Sequence, residues 1–376
     1  MTERDRYLET ILFGNPDKIP FVPGFPRLST KKRWQAEGMP QDVDWQAYVW
    51  DRIGVPLPSA KPLPPFSVNF RMDPIFEEKI LRHENGHFVV QDWMGATTEI
   101  SDEYDCTYIR NAIDFVTRRW LKFPVETRED WEEMKKRFDP DLASRVPAIT
   151  PQERAALAAR ERVLSLSFNG PFWQLREWMG FENLCMAFID QPAFVAEMIG
   201  FWEAFVFRVM QRVFDAHVVP DSVFISEDMA YKAHPMISPA MTREFLLPTY
   251  KRWITFLKQQ GVKVIDMDSD GYVADLIPIW IEAGFSVNDP VEVAAHNDIV
   301  LYRQLYGNRM AFRGGIDKRA IAAGGEQIKS ELHRVLPHML KLGGYIPECD
   351  HGVPHDISLD AFIDYGRRLA RYTGWL

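Results

Sequence analysis

Long apolar runs, cysteine pairs and basic stretches are all scarce in this chain, and each scarcity removes a class of protein. No run approaches the roughly 20 apolar residues that a membrane-crossing helix requires, so no membrane partner is expected. The three cysteines, Cys106, Cys185 and Cys349, are too few and too far apart for a disulfide framework. Lys and Arg together number 44 against 53 Asp and Glu, a net charge of −9. A nucleic-acid partner would require a basic stripe, and none is present. No Gly-x-Gly-x-x-Gly follows an apolar stretch, which argues against a dinucleotide-binding sheet. The opening "MTERDRYLET" reads as a charged helix, with neither the apolar centre of a signal peptide nor the acid-poor makeup of a transit peptide. A soluble cytoplasmic protein acting on a small molecule is expected, with a homodimer left open.

Core-forming material is plentiful. A hydrophobic content of 46% and an aromatic content of 13% suffice for a large buried interior, so residues 1–376 can form one domain. The first 160 residues are irregular and rich in proline and aromatics. Within them "KIPFVPGF" is a candidate strand, "GHFVVQDWMGATTEI" alternates like a hairpin, and "SAKPLPPF" (59–66) is a surface loop. "TREDWEEMKKRF" is a short charged helix with Trp131, Met134 and Phe138 along one side.

From about residue 162 a regular rhythm takes over. "VLSLSF", "SVFISED", "VKVIDMDSDG", "FSVNDP", "RMAFRGGID" and "GYIPECDHG" are short and apolar, and each leads through a polar turn into a helix. Strands without alternation are buried on both faces, as in a parallel sheet. With "IPFVPG" and one more early strand they make the eight of a closed (β/α)8 TIM barrel, preceded by an irregular N-terminal region. An open doubly wound sheet is the alternative. Pro248 lies inside the helix that begins at Ser238-Pro239, so a kink or break is expected there.

Chemistry in such a barrel belongs at the C-terminal ends of the strands. Those ends read Asn169, then Glu227 with Asp228, then Asp266, Asp268 and Asp270. Asn288 and Asp289 follow, then Arg313 and Asp317, and finally Glu348, Cys349, Asp350 and His351. One polar strand end means little, but acids at successive ends with an Arg, a Cys and a His describe a rim. Each residue also has a plainer reading. His351 would look the same as a turn cap, Cys349 as a small packed residue, and Glu227 and Asp228 as caps of the next segment. Arg313 in "RGGIDKR" would serve equally to close a turn, and Trp173 to wall a core. Asp268 and Asp270 are harder to excuse in so apolar a run.

The order of these motifs resembles the uroporphyrinogen decarboxylase superfamily, which also holds cobalamin-dependent methyltransferases. "MTERDRYLETILFGNPDKIPFVPGF" resembles its opening helix and "D-R-x-P" strand, and "SFNGPFWQLREWMG" its "F-x-G-x-P-[FW]-T" turn. "VKVIDMDSDGYVADLIPIWIEAGFSVNDP", "RGGID" and "DHGVPHD" extend the resemblance over nearly the whole chain. The resemblance implies a (β/α)8 barrel with its cleft at the strand tips. Two departures bear on activity. The Arg-rich "R-Q-A-G-R-Y" segment with which true decarboxylases bind a polycarboxylate is replaced by "GFPRLSTKKRW". The thiol-methylating branch holds zinc with "H-x-C" and a late Cys. Here those places read Asp268-x-Asp270 and His351, with Cys349 two positions earlier.

The resemblance thus implies a corrinoid-linked methyltransferase, with zinc among Glu227, Asp268, His351 and Cys349 acting as a Lewis acid. Glu227, Asp268, Asp270 and His351 would carry the catalysis, and Asn169, Trp173, Asp228 and Arg313 would touch substrate. A small O- or N-methylated molecule would exchange its methyl group with the cobalt of a corrinoid on a separate protein. A metal-free decarboxylase using His351 and an Asp as proton donors is the alternative, and a catalytically silent binding barrel is a third.

Overall fold

The structure is a computed structural model that describes residues 1–104 and 117–376; Cys106 lies outside them. The described residues form two compact units. One comprises Ser67–Ala148 and Asn169–His217. Its antiparallel sheet runs β1 (Lys79–Glu84), β2 (His87–Gln91), β3 (Thr97–Ser101) and β4 (Arg118–Lys122) in that order. Asn85 and Gly86 join β1 to β2 with φ values of 51° and 74°, the left-handed pair that a tight hairpin turn needs. The hairpin read from the sequence is β2 with β3. The short charged helix spans Arg128–Lys135, capped by Thr127, and buries Trp131 and Met134; Phe138 is buried just beyond it. Trp131, Trp178, Trp202 and Phe138 then stack in this unit's core, with neighbouring ring centroids 5.0–5.9 Å apart.

The other unit comprises Met1–Phe66, Ile149–Phe168 and Val218–Leu376. It holds the parallel sheet of β5 (Ser165–Asn169), β6 (Ser222–Ser226), β7 (Val264–Asp268), β8 (Val287–Val291), β9 (Ala311–Ile316) and β10 (Tyr345–Cys349). The hydrogen-bonded order is β10-β9-β8-β7-β6-β5, each strand leading to helix as the sequence rhythm requires. The last residue of β5, Asn169, belongs to the unit described first.

Six strands, not eight, share this ladder among the described residues. The "IPFVPG" stretch lies along β10 as an extended segment. Cys349 N–H donates to Pro23 C=O at 3.3 Å, Val353 N–H to Phe25 C=O at 2.9 Å, and Pro26 forms a parallel bridge with Val353. Pro20, Pro23 and Pro26 carry no N–H, so the segment cannot pair as a regular strand. A cavity of about 380 Å³ opens between this segment and Arg162–Val163, with Trp50, Val55 and Trp375 also in its wall.

Pro248 has the effect its position foretold. A π turn over Thr242–Leu246 separates Pro239–Met241 from the helix Leu247–Gln259. Pro248 then sits in that helix's first turn, where no N–H is needed.

The floor of the barrel sets the frame for everything above it. Leu8 and Ile11, from the helix Glu3–Ile11, pack against Val264, Val287, Ala311 and Ile346, one residue from each of β7 to β10. Burying each large apolar side chain contributes about 1.5–3 kcal/mol. Below, Asp221 accepts from both Arg4 Nε and Arg160 Nε at 2.8 Å and ties the helix to the sheet.

Candidate active site

Side chains alternate along a strand, so the residues two positions beyond the floor also face the lumen. They are Asp266, Asp289, Arg313 and Glu348. Arg313 Nη1 lies 3.0 Å from Asp289 Oδ2, and its Nη2 lies 3.4 Å from Glu348 Oε2. The Tyr7 hydroxyl reaches up from the floor to Asp266 Oδ2 at 3.4 Å. Asp268 stands one further step along β7. On β6 the matching face is Ser222, Phe224 and Ser226, in register with Val264, Asp266 and Asp268. Asp228 continues past β6 with φ 40°, a strained value for a residue with a side chain, and its charge bears on Asp268. Solvent reaches this chamber: the Arg313 side chain keeps 23% of its surface exposed, Glu348 15% and Asp289 13%.

The lumen is rich in acids and poor in compensating charge. Burial, then Asp289, pushes Asp268 up to about 8, with Asp270 and Asp228 adding to the effect and the Ser226 hydroxyl opposing it. Burial raises Asp266 to about 7, against the pull of Arg313 and with the help of Asp289. Burial likewise raises Glu348 to about 7, opposed by Arg313 and reinforced by Asp289. Burial disfavours the charge on Arg313, but Asp289, Glu348 and Asp266 outweigh it and keep the guanidinium charged. At neutral pH the lumen therefore holds a charged arginine among acids that retain part of their protons.

A second group lies at the rim. Arg27 Nη2 sits 2.9 Å from His351 Nδ1, and His351 Nε2 sits 2.9 Å from Asp270 Oδ2. Arg27 can donate only to an unprotonated Nδ1, which selects the tautomer with its proton on Nε2. In that tautomer Nε2–H donates to Asp270, and this hydrogen bond raises the imidazole pKa against burial and Arg27. Beside it Lys318 Nζ contacts Glu292 Oε1 at 3.0 Å, and buried Asp350 accepts from the Val293 and Lys318 backbone N–H groups.

Glu227 and Cys349 have the opposite parity to the lumen residues. Glu227 is fully buried and accepts a hydrogen bond from the Tyr250 hydroxyl, on the helix Leu247–Gln259. Cys349 is 2% exposed and within electrostatic reach of Tyr365 on the helix Leu359–Thr373. Burial, with Asp350 adding, pushes its thiol well above the ordinary range. Asn169 and Trp173 belong to the other unit, where both donate to Glu177, Asn169 Nδ2 at 3.2 Å and Trp173 Nε1 at 2.8 Å.

The zinc set expected from the resemblance therefore does not fit. Among the described residues no group of three or more His, Cys, Asp and Glu side chains is placed to hold a metal ion. Asp268 faces the lumen, Glu227 and Cys349 face the helices, and both ring nitrogens of His351 are engaged. Sequence reading assigns roles to Glu227 and Cys349 instead of Asp266, Asp289 and Glu348, although these last stand among the strand ends it names. The signal for the latter was available in the spacing Val264-x-Asp266-x-Asp268, which puts both acids on the floor residue's side of one strand.

A polar, solvent-reached chamber at the strand ends is the working end of a barrel enzyme. Residues 113–364 match the family model for uroporphyrinogen decarboxylase (URO-D), and the chain belongs to that family, a family of TIM barrels. A methyltransferase from Methanosarcina mazei is similar in fold over 98% of both chains, with a TM-score of 0.59 and 14% identity. A B12-independent methionine synthase from Shewanella sp. W3-18-1 aligns over 60% of this chain and 68% of its own, at 12% identity and a TM-score of 0.37. No curated protein matches the sequence.

Proposed function

We propose that this protein is a methyltransferase that takes a methyl group from a small N- or O-methylated donor and passes it to the cobalt of a corrinoid carried by a separate protein. The observation that carries the reading is the charge of the lumen. Asp228, Asp266, Asp268, Asp289 and Glu348 face it, and among the described residues on that face Arg313 is the balancing cation. A porphyrinogen bearing many carboxylates would stack like charges there, where repulsion amounts to several kcal/mol. A neutral or cationic methyl donor meets no such penalty. The kinship in fold to a methyltransferase supports the same branch.

Each lumen group has work to do in this reading. For an O-methylated donor the departing oxygen must gain a proton, and Asp268, raised to about 8, still carries one at neutral pH. Arg313, clamped between Asp289 and Glu348, orients those carboxylates toward the bound molecule. His351 and Asp270 form the lip over which substrate passes. The corrinoid cobalt, when present, supplies the nucleophile that accepts the methyl group, and the mouth of the lumen is where a partner protein would have to present it.

One feature favours a second reading, a decarboxylase of a small carboxylate: Arg313 is a cation suited to holding one such group. The test supplies reduced cobalamin with a panel of methoxylated and N-methylated small molecules and follows the absorbance change of cobalamin methylation. A parallel assay supplies uroporphyrinogen and small carboxylates and measures carbon dioxide. Methylation without carbon dioxide is the expected result; carbon dioxide at an enzymatic rate without methylation overturns it.

A further inference from the structure

We infer that the lumen is a binding site for a small methylated ammonium ion, held between the ring of Phe224 and the carboxyl groups of Asp266 and Asp268. The inference rests on the reading of the lumen as the reaction chamber and narrows the donor to a cation. Arg313 makes its ion pairs with Asp289 and Glu348 and reaches Asp266 only through its longer-range field, so among the described residues neither Asp266 nor Asp268 has an ion pair of its own. Asp266 is 1% exposed; among the described residues its Oδ1 meets no donor, and its other oxygen receives the Tyr7 hydroxyl at 3.4 Å. A buried carboxyl oxygen left without a donor is a place where a cation's charge can be met electrostatically, with no N–H required of the ligand.

The second observation is aromatic. Phe224 pairs in the ladder with Asp266, on the lumen face and partly exposed, between two small neighbours on that face, Ser222 and Ser226. An aromatic face beside carboxylates is a recurrent way to hold an alkylammonium ion, since the ring attracts the cation as the acids do. An anion would be repelled here, and a neutral ether would leave the acids uncompensated. The chemistry balances for such a donor. Breaking the N–CH3 bond of a quaternary ammonium leaves the electron pair on nitrogen, the methyl group goes to the nucleophile, and a neutral amine departs with no proton transferred.

Calorimetric titration of the full chain near pH 9, where Asp266 and Asp268 are ionised, with choline and with 3,3-dimethylbutan-1-ol, which has carbon in place of the nitrogen, tests this directly. Choline is expected to bind at least about tenfold more tightly than the alcohol. Asp268→Asn and Phe224→Leu should each weaken choline by about tenfold and leave the alcohol unchanged. Should Asp268→Asn or Phe224→Leu lose its native circular dichroism, Asp228→Asn, nearer the mouth, serves as a milder variant with the same expected direction. Equal or tighter binding of the alcohol, no choline binding at millimolar concentration, or choline affinity indifferent to the folded variants overturns the inference. Binding is read without turnover, so those results would leave the methyl-transfer reading to stand or fall on its own assay.

Discussion

Glu227 and Asp228 are neighbours in sequence with opposite surroundings, and a single step along the chain decides which one faces the lumen. Glu227 is buried behind the sheet with the Tyr250 hydroxyl donating to it; Asp228 bends toward Asp268. Removing the hydroxyl by Tyr250→Phe takes a donor from a buried carboxylate, so it should cost about 1–3 kcal/mol of stability in urea unfolding. Glu227→Gln keeps an acceptor for Tyr250 and should lose less; an unchanged midpoint for Tyr250→Phe would mean the bond contributes nothing. The same parity governs Cys349. Buried and raised above the ordinary thiol range, it should resist a thiol reagent in the native protein, whereas half-buried Cys185 should react faster. Mass mapping of the labelled peptides distinguishes the two. The strand ends were legible in the sequence because acids interrupt apolar runs. The facing of each residue was not, since "SED" and "ECD" offer adjacent candidates and only the floor contacts of Val264 and Ile346 reveal which parity is inward.

At the scale of elements, the extended segment beside β10 shows how proline can spell a strand that never joins a ladder. The run "KIPFVPGF" has the apolar content of a barrel strand, and it lies where one would lie, yet its contacts with β10 and the turn beyond are isolated bonds. Gly24 makes the approach possible. Its φ is +126°, and a Cβ there would stand 2.9 Å from Val353 Cγ2 and 3.0 Å from Cys349 Cβ. Gly24→Ala should therefore destabilise by about 1–3 kcal/mol, read as a lower urea midpoint; a neutral result would show that the segment yields freely. Strand–turn–helix periodicity made the six parallel strands readable from about residue 162, because each is a continuous apolar run closed by a polar turn. A closed ring of eight was harder to judge, since apolarity is visible in sequence and missing N–H groups decide the pairing.

Over the whole molecule, the acid-lined lumen should set how stability responds to pH. Asp266, Asp268 and Glu348 rise from 3.8, 3.8 and 4.5 to about 7, 8 and 7. An acid whose pKa is higher folded than unfolded binds more protons in the native state across that interval, so stability falls as pH rises through it. Their contribution is complete below about pH 4 and is lost progressively up to about pH 8. His351, raised by Asp270, acts in the same sense. Asp221 acts oppositely. Burial is outweighed there by hydrogen bonds from Arg160, Leu164 N–H and Arg4, its pKa is lowered, and its contribution disappears as pH falls below the usual carboxylate range. The two trends leave a maximum on the acid side of neutrality. Urea unfolding near pH 5, 7 and 9 should give midpoints that decline across the series. Asp268→Asn removes one of the ionising groups, so the variant should match the wild type near pH 5 and exceed it near pH 9 by an amount on the order of 1–3 kcal/mol. A wild-type midpoint that holds level or rises toward pH 9 would show that the lumen acids ionise without resistance, and the surplus of negative charge on which the proposed donor selectivity depends would then be neutralised in some other way.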